Sequence, residues 1–177
     1  MISDAESPRS RSDELYDKTM KIEEVEDMLP QKPERLETVE EPKRQELVNA
    51  SYDLIGCLHE VYKELGSGLP EYIYQEAVAK MLKARGLTFH KEMKFHPTFM
   101  GEPLESYLKM DLVVESEVGN IIVECKALTQ LTEKEHYQTF GYLRATRWPI
   151  AILVNFGSDR RAQIERFYFA DGKLFVF

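Results

Sequence analysis

Apolar positions along the chain change their spacing several times, and each change predicts an element. Leu54, Ile55, Leu58, Val61, Tyr62 and Leu65 recur at helical spacing. Asn49 or Ser51 is placed to cap that helix and Gly66 to end it. Pro70 suits the first turn of a second helix, whose stripe is Tyr74, Ala77, Val78, Met81 and Leu82 and whose stop is Gly86. The period then falls to two. Leu87 through Met100 reads as a strand with Phe89, Lys91, Met93 and Phe95 on one face, closed by a turn at Gly101-Glu102-Pro103. Tyr107–Glu115 and Asn120–Ala127 read as two further strands joined by Ser116–Gly119. Helical character returns at Leu131, where Thr132 and Glu135 form a capping-box pair, and stops before Trp148-Pro149. Ile150–Phe156 is almost wholly apolar, as in a strand buried on both faces. Arg166–Ala170 and Lys173–Phe177 flank Asp171-Gly172, a turn that favours positive φ.

The resulting order is two helices, three strands, a crossover helix and three strands. It predicts an α/β (α+β) domain with a mixed central sheet flanked by helices and a right-handed crossover. Residues 1–48 do not fit this pattern. They are polar and proline-punctuated, with scattered apolar positions between Glu14 and Leu29, and read as an acidic tail that is disordered or locally helical. The expected domain is therefore 49–177.

Charge sharpens the division. The chain carries a formal −8. Residues 1–48 hold 8 basic and 14 acidic side chains, a net −6, which leaves −2 for the domain. From about residue 138 the balance turns basic, through Arg144, Arg147, Arg160, Arg161, Arg166 and Lys173, which suits contact with phosphates or an ordinary mixed surface. Two cysteines, Cys57 and Cys125, are too few for a four-thiolate zinc or iron–sulfur site and read as buried reduced thiols. The N-terminus shows no secretory apolar core and no run of 18 apolar residues occurs, so an intracellular chain without a membrane span is expected.

The candidate chemistry lies in the middle strands. Asp111 interrupts the apolar run Leu108–Val114, and Glu124 follows Ile121-Ile122-Val123 with Lys126 two residues on. Residues two apart share a strand face, so Glu124 and Lys126 point one way and Cys125 points into the core. A hairpin folded about Ser116–Gly119 places Asp111 opposite Glu124. Opposed carboxylates repel unless a cation sits between them, and a hard divalent ion suits carboxylate oxygens, with the Cys125 carbonyl able to complete the shell. On strand pattern alone, the same residues read more readily as solvent-side groups of an antiparallel pair neutralised by Lys126, since an aspartate followed 13 residues later by E-x-K is a loose pattern.

Further motifs surround this core. Gly68-Leu69-Pro70-Glu71-Tyr72-Ile73-Tyr74, Lys109-Met110-Asp111-Leu112-Val113, Ile122-Val123-Glu124-Cys125-Lys126-Ala127, Gln138-Thr139-Phe140-Gly141-Tyr142 and Val154-Asn155-Phe156 occur in register over about residues 50–170. This series resembles the GxxExxY family, a branch of the PD-(D/E)XK nucleases, with a Q-x-x-x-Y helix similar to that of RecB-like nucleases. The resemblance implies a restriction-endonuclease-like core and a Mg²⁺- or Mn²⁺-dependent nuclease hydrolysing phosphodiester bonds, with DNA the expected nucleic acid. It implies catalytic roles for Glu71, Asp111, Glu124 and Lys126, and metal ligation by Asp111, Glu124, Cys125 and Glu71. It places Gln138 and Tyr142 against substrate. Tyr62 stands where many members of that family have a histidine. The alternative is a catalytically inactive nucleic-acid- or protein-binding module on the same fold, with the acidic tail as the expected contact for a protein partner.

Overall fold

The computed structural model describes residues 33–35, 39–41 and 43–176. The reading made on Glu14–Leu29 lies outside the described residues. Three helices are described: α1 (Lys43–Leu65), α2 (Glu71–Ala84) and α3 (Glu133–Thr146). The strands are β1 (Glu34–Arg35), β2 (Phe89–Phe95), β3 (Thr98–Phe99), β4 (Glu102–Pro103), β5 (Leu108–Val114), β6 (Ile121–Lys126), β7 (Ile150–Asn155), β8 (Gln163–Ala170) and β9 (Lys173–Val176). Seven of them form one mixed sheet in the order β1-β9-β8-β7-β6-β5-β2.

β7 is the central strand, parallel to β6 and antiparallel to β8. All six of its residues are buried, as its apolar run requires. α3 makes the crossover from β6 to β7. Its capping box is formed as expected, with the Thr132 side chain accepting from the Lys134 N–H and the Glu135 carboxylate accepting from the Thr132 N–H at 2.9 Å. Arg147, in the left-handed region, ends the helix ahead of Trp148-Pro149.

Two cores lie on opposite faces. α1 and α2 cover one through Leu54, Cys57, Leu58, Tyr74 and Val78, which meet Leu112, Val123, Cys125, Ile152 and Val154. α3 covers the other, where Phe140 and Leu143 meet Met110, Ile122, Ala151, Leu153 and Phe167. Complete burial of one such side chain contributes about 1.5–3 kcal/mol. Tyr74 stacks on Phe156 with ring centroids 4.6 Å apart, joining α2 to the end of β7. Both cysteines are free and buried, as expected.

The structure departs from the sequence reading at element ends. α1 begins at Lys43, not at Asn49 or Ser51. Ser51 is buried within it, its hydroxyl donating to the Leu47 carbonyl at 3.3 Å. The first turn is polar, and Leu47, Val48 and Ala50 behind it are too closely spaced to mark a helical stripe. β1 pairs with β9 in parallel although its two residues carry no pattern. The expected strand from Leu87 to Met100 is shorter. β2 ends at Phe95, because Pro97 has no N–H for a ladder. The expected turn at Gly101-Glu102-Pro103 is instead a small hairpin in which Met100 and Gly101 adopt positive φ between β3 and β4. β8 starts at Gln163, three residues before Arg166.

Candidate active site

The loop into α2 is built by the glycine-rich motif. Gly68 has φ +95, which only glycine adopts without strain. One turn into the helix, the Tyr74 hydroxyl donates to the Gly66 carbonyl at 2.8 Å and accepts from the Leu69 N–H at 3.1 Å. Tyr74 is fully buried and thus ties the loop shut. This loop delivers Glu71 to the first turn of α2, at the end of the sheet where β6 finishes.

β5 supplies the next group, and its regular pairing fails there. Lys91 pairs with Leu112 and Met93 with Met110, but Glu92, opposite Asp111, has φ +51 and makes no ladder pair. A non-glycine residue in this region stores of order 1 kcal/mol or more. Face alternation fails at the same place, since Leu112 joins the core under α1 and α2 while Met110 and Val113 join that under α3. On its other side β5 pairs with β6 through Leu112 and Val123, Val113 and Ile122, and Val114 and Ile121. Continuing that register by one step sets Asp111 against Glu124, as the hairpin argument expects. The two residues clasp each other's strands. The Asp111 N–H donates to the Glu124 Oε1 at 3.3 Å, and the Cys125 N–H donates to the Asp111 Oδ2 at 2.9 Å.

Glu124 is 1% exposed. Its nearest cation is Lys126, whose Nζ lies 3.4 Å from Oε2. Burial and then the neighbouring Asp111 charge raise its carboxyl to about 8, with Lys126 only partly offsetting them. Glu71 is also raised, by burial and by Asp111 against the opposing pull of Lys126. Burial disfavours the charged Lys126, yet Glu124, Glu71 and Asp111 outweigh it and hold the ammonium above its ordinary value. Three carboxylates thus act on one ammonium at a half-buried corner.

α3 reaches the same corner. Gln138 Nε2 donates to the Tyr142 hydroxyl at 2.8 Å, and that hydroxyl donates to the Lys109 carbonyl at 3.1 Å. Tyr142 is buried, and burial, with Glu124 and Asp111, raises its hydroxyl. Tyr142 therefore holds the irregular stretch of β5 next to Asp111, leaving the exposed Gln138 as the outward-facing member of the pair.

Of the expected site residues, the structure gathers Glu71, Asp111, Glu124, Lys126, Gln138 and Tyr142 at one end of the sheet. Cys125 enters through its amide, and its thiol lies in the core. Among the described residues no three His, Cys, Asp or Glu side chains converge as ligands of a single ion. The donor chemistry nevertheless fits a hard divalent cation. Glu124 is buried beside a second carboxylate with one ammonium to balance them, so added positive charge there would be stabilising.

Sequence reasoning missed the supports of Lys126. The Phe156 N–H donates to the Lys126 carbonyl at 2.7 Å. Asn155, fully buried, accepts from the Leu128 N–H at 2.9 Å and donates to the Leu128 carbonyl at 2.9 Å. A Cβ on Gly157 would stand 2.3 Å from the Leu128 carbonyl oxygen. A polar Asn ending an apolar strand and followed closely by Gly was the available signal. The pair His136–Glu165, with Nε2 2.6 Å from Oε2, was also missed. It joins α3 to β8 across 29 positions of sequence, and no local pattern announces it.

The fold and this corner together define a nuclease-type core. The family model of the PD-(D/E)XK nuclease superfamily matches residues 48–167. The chain belongs to that superfamily, and its mixed sheet with flanking helices is the restriction-endonuclease-like fold. The crystal structure of SSO0001 is similar at a TM-score of 0.44 and 16% sequence identity, over 82% of this chain and 73% of that one. No curated protein matches the chain.

Proposed function

We propose that the protein is a divalent-metal-dependent nuclease of the GxxExxY branch, acting on DNA through Asp111, Glu124 and Lys126. The observation that carries this reading is the charge imbalance at the end of β6. Glu124, raised to about 8 by burial and Asp111, is a group held ready for a cation. Strongly perturbed carboxylates cluster at functional sites.

Asp111, Glu124 and Glu71 are the residues that would hold Mg²⁺ or Mn²⁺, which when bound supplies Lewis acidity at the phosphate and a more acidic water. Lys126 carries its ammonium beside Glu124 and stabilises negative charge developing on the phosphoryl oxygens. Tyr142 fixes the strand that carries Asp111. Gln138 meets the nucleic acid beside the scissile bond. No helix among the described residues is long and apolar enough to cross a membrane.

The test is cleavage of labelled single-stranded, double-stranded and branched DNA and RNA with Mg²⁺ or Mn²⁺. Cleavage of at least one DNA that EDTA abolishes is expected. Binding without cleavage across the whole panel would overturn the enzyme reading and leave a binding module on this fold.

A further inference from the structure

The large exposed apolar side chains of the described residues gather at one end of the sheet. Lys126 ends β6, Glu71 begins α2 and Asp111 lies near the start of β5, so the carboxylates mark that end. Tyr72, 65% exposed, follows Glu71 directly. The connection from β2 to β5 leaves and re-enters the sheet at the same end, because Phe95 pairs with Leu108. It carries Phe99, 66% exposed, in the small hairpin, and the exposed Tyr107 where it returns to β5. Tyr137, in the second turn of α3, is exposed next to Gln138. Among the described residues only Tyr52, midway along α1, is a large exposed apolar side chain away from this end.

Exposed apolar surface gathered in one place marks contact with a partner, and charge narrows what that partner can be. The four connections at this end, 66–72, 96–107, 127–133 and 156–162, carry two basic and five acidic side chains, a net −3. Lys109 and Lys126 nearby are already answered by Glu92 and Glu124. Affinity for duplex DNA comes chiefly from cations set against phosphates, and this end is poor in them. Aromatic rings offer the other attraction a nucleic acid can use, stacking on the faces of its bases. The Tyr107 ring is held ready for it. Lys94 Nζ lies 4.3 Å from its centroid, and the His96 ring centroid is 5.7 Å away. His96 Nδ1 is in turn 2.9 Å from the Leu104 carbonyl, and the Leu104 N–H donates to the Pro97 carbonyl at 2.8 Å, closing the base of the hairpin that carries Phe99. A ring fixed in this way loses little freedom on contact.

We propose that Tyr72, Phe99 and Tyr107 form a stacking platform for unpaired bases, so that the site takes a DNA strand with unpaired bases in preference to intact duplex. The inference names the substrate class of the carboxylate corner and rests on the nuclease reading for the presence of a nucleic acid. A duplex keeps its base faces inside its own stack, where these rings cannot reach them. An unpaired strand presents them, and stacking holds it beside carboxylates that repel its phosphates except where a cation is bound.

The experiment uses the full chain in EDTA, where nothing is cleaved. Affinity for a fluorescent single-stranded DNA and for the blunt duplex of the same sequence is measured by anisotropy, for the parent, Phe99→Leu, Tyr107→Leu and Tyr107→Phe. The leucines keep apolar bulk and remove the ring, at exposed positions where the fold is expected to persist. The parent should bind the single strand at least about tenfold more tightly than the duplex. Each leucine variant should weaken single-strand binding about tenfold, leaving duplex binding and the salt slope unchanged. Tyr107→Phe should bind as the parent does. Equal affinity for the two DNAs, or leucine variants that bind the single strand like the parent, would overturn the platform. Binding to neither DNA would overturn it as well and leave the rings as a protein contact. Cleavage of duplex and single strand at equal rates in Mg²⁺ would defeat this inference and keep the nuclease reading. Ring-dependent binding of the single strand, with no substrate cut in Mg²⁺ or Mn²⁺, would defeat the nuclease reading and leave the platform standing.

Discussion

Two polar clusters set into the same sheet differ in a way that separates architecture from chemistry. One is His136 with Glu165, between α3 and β8. The other is the corner of Glu71, Asp111, Glu124 and Lys126. In the first, each polar atom has a local answer. His136 Nδ1 is 2.9 Å from the Thr132 carbonyl and its Nε2 2.6 Å from Glu165, while Gln163 donates to the same carboxylate at 2.7 Å. The imidazole also packs against Phe167, with ring centroids 6.0 Å apart. The pair is about a quarter exposed, and its contacts are all to groups of opposite or no charge. In the second cluster, like charges are pressed together around one ammonium, a ladder pair is missing, and Glu92 opposite takes a strained φ of +51. A satisfied cluster holds elements together. An unsatisfied one, kept at the expense of stability, points to a ligand.

The widest separation between the two clusters is expected in turnover. Lys126→Ala should lower cleavage about 10²–10⁴-fold, while Mn²⁺ affinity is kept or raised, because lysine is not a ligand and its positive charge opposes the ion. His136→Gln should leave turnover unchanged. Equal cleavage by Lys126→Ala and the parent would sink the assigned role of the corner.

Metal binding comes next. Isothermal titration with Mn²⁺ should give an affinity near the micromolar class, about 8 kcal/mol, for the parent and none for Asp111→Ala. A parent that binds no Mn²⁺ would mean the carboxylates are only a strand contact.

Gly157→Ala addresses position alone. The new methyl would meet the Leu128 backbone and push the segment after Lys126 out of place. Cleavage should fall about 10²-fold, as for a displacement of the order of 1 Å, with the Cα chemistry of every site residue intact. Full activity in a folded Gly157→Ala protein would show that Leu128 yields freely.

The pH dependence of stability distinguishes the clusters more finely. Below the ordinary value of 4.5, Glu124 is protonated in folded and unfolded chains alike. Between that value and about 8 the folded protein keeps the proton that the unfolded chain releases, so stability falls as pH rises through this window and stays lowered above it. In EDTA, Glu124→Gln should therefore flatten the profile and exceed the parent by roughly 2–4 kcal/mol above pH 8. Added Mn²⁺ should restore part of the parent's stability at high pH. Denaturant melts across pH read both effects, and parallel profiles for the two proteins would remove the argument from burial. The smallest effect belongs to the satisfied cluster. Glu165→Gln should cost about 1–2 kcal/mol of stability near neutral pH, with no change in cleavage.

The elements were legible because periodicity, caps and turn residues act locally. The stripe of α2, the capping box of α3 and the positive φ of Asp171 and Gly172 at the β8–β9 turn follow from residues a few positions apart. The facing of Asp111 and Glu124 was legible for a related reason: a hairpin register is set by the turn between its strands, and Ser116–Gly119 fixes it. The superfamily could be read from motifs in order, each of which marks one element. What sequence alone left open is how far each carboxylate departs from ordinary behaviour. Burial of Glu124, the unpaired step at Glu92 and the reach of Glu71 toward Lys126 depend on packing among α2, β2, β5 and β6, whose members lie far apart in the chain. The clamp of Asn155 and Gly157 on Leu128 likewise arises only when β6 and β7 stand side by side. Local pattern determines which elements form and which residues share a face. The dielectric and the charge around a side chain are set by everything packed near it, and that is decided in three dimensions.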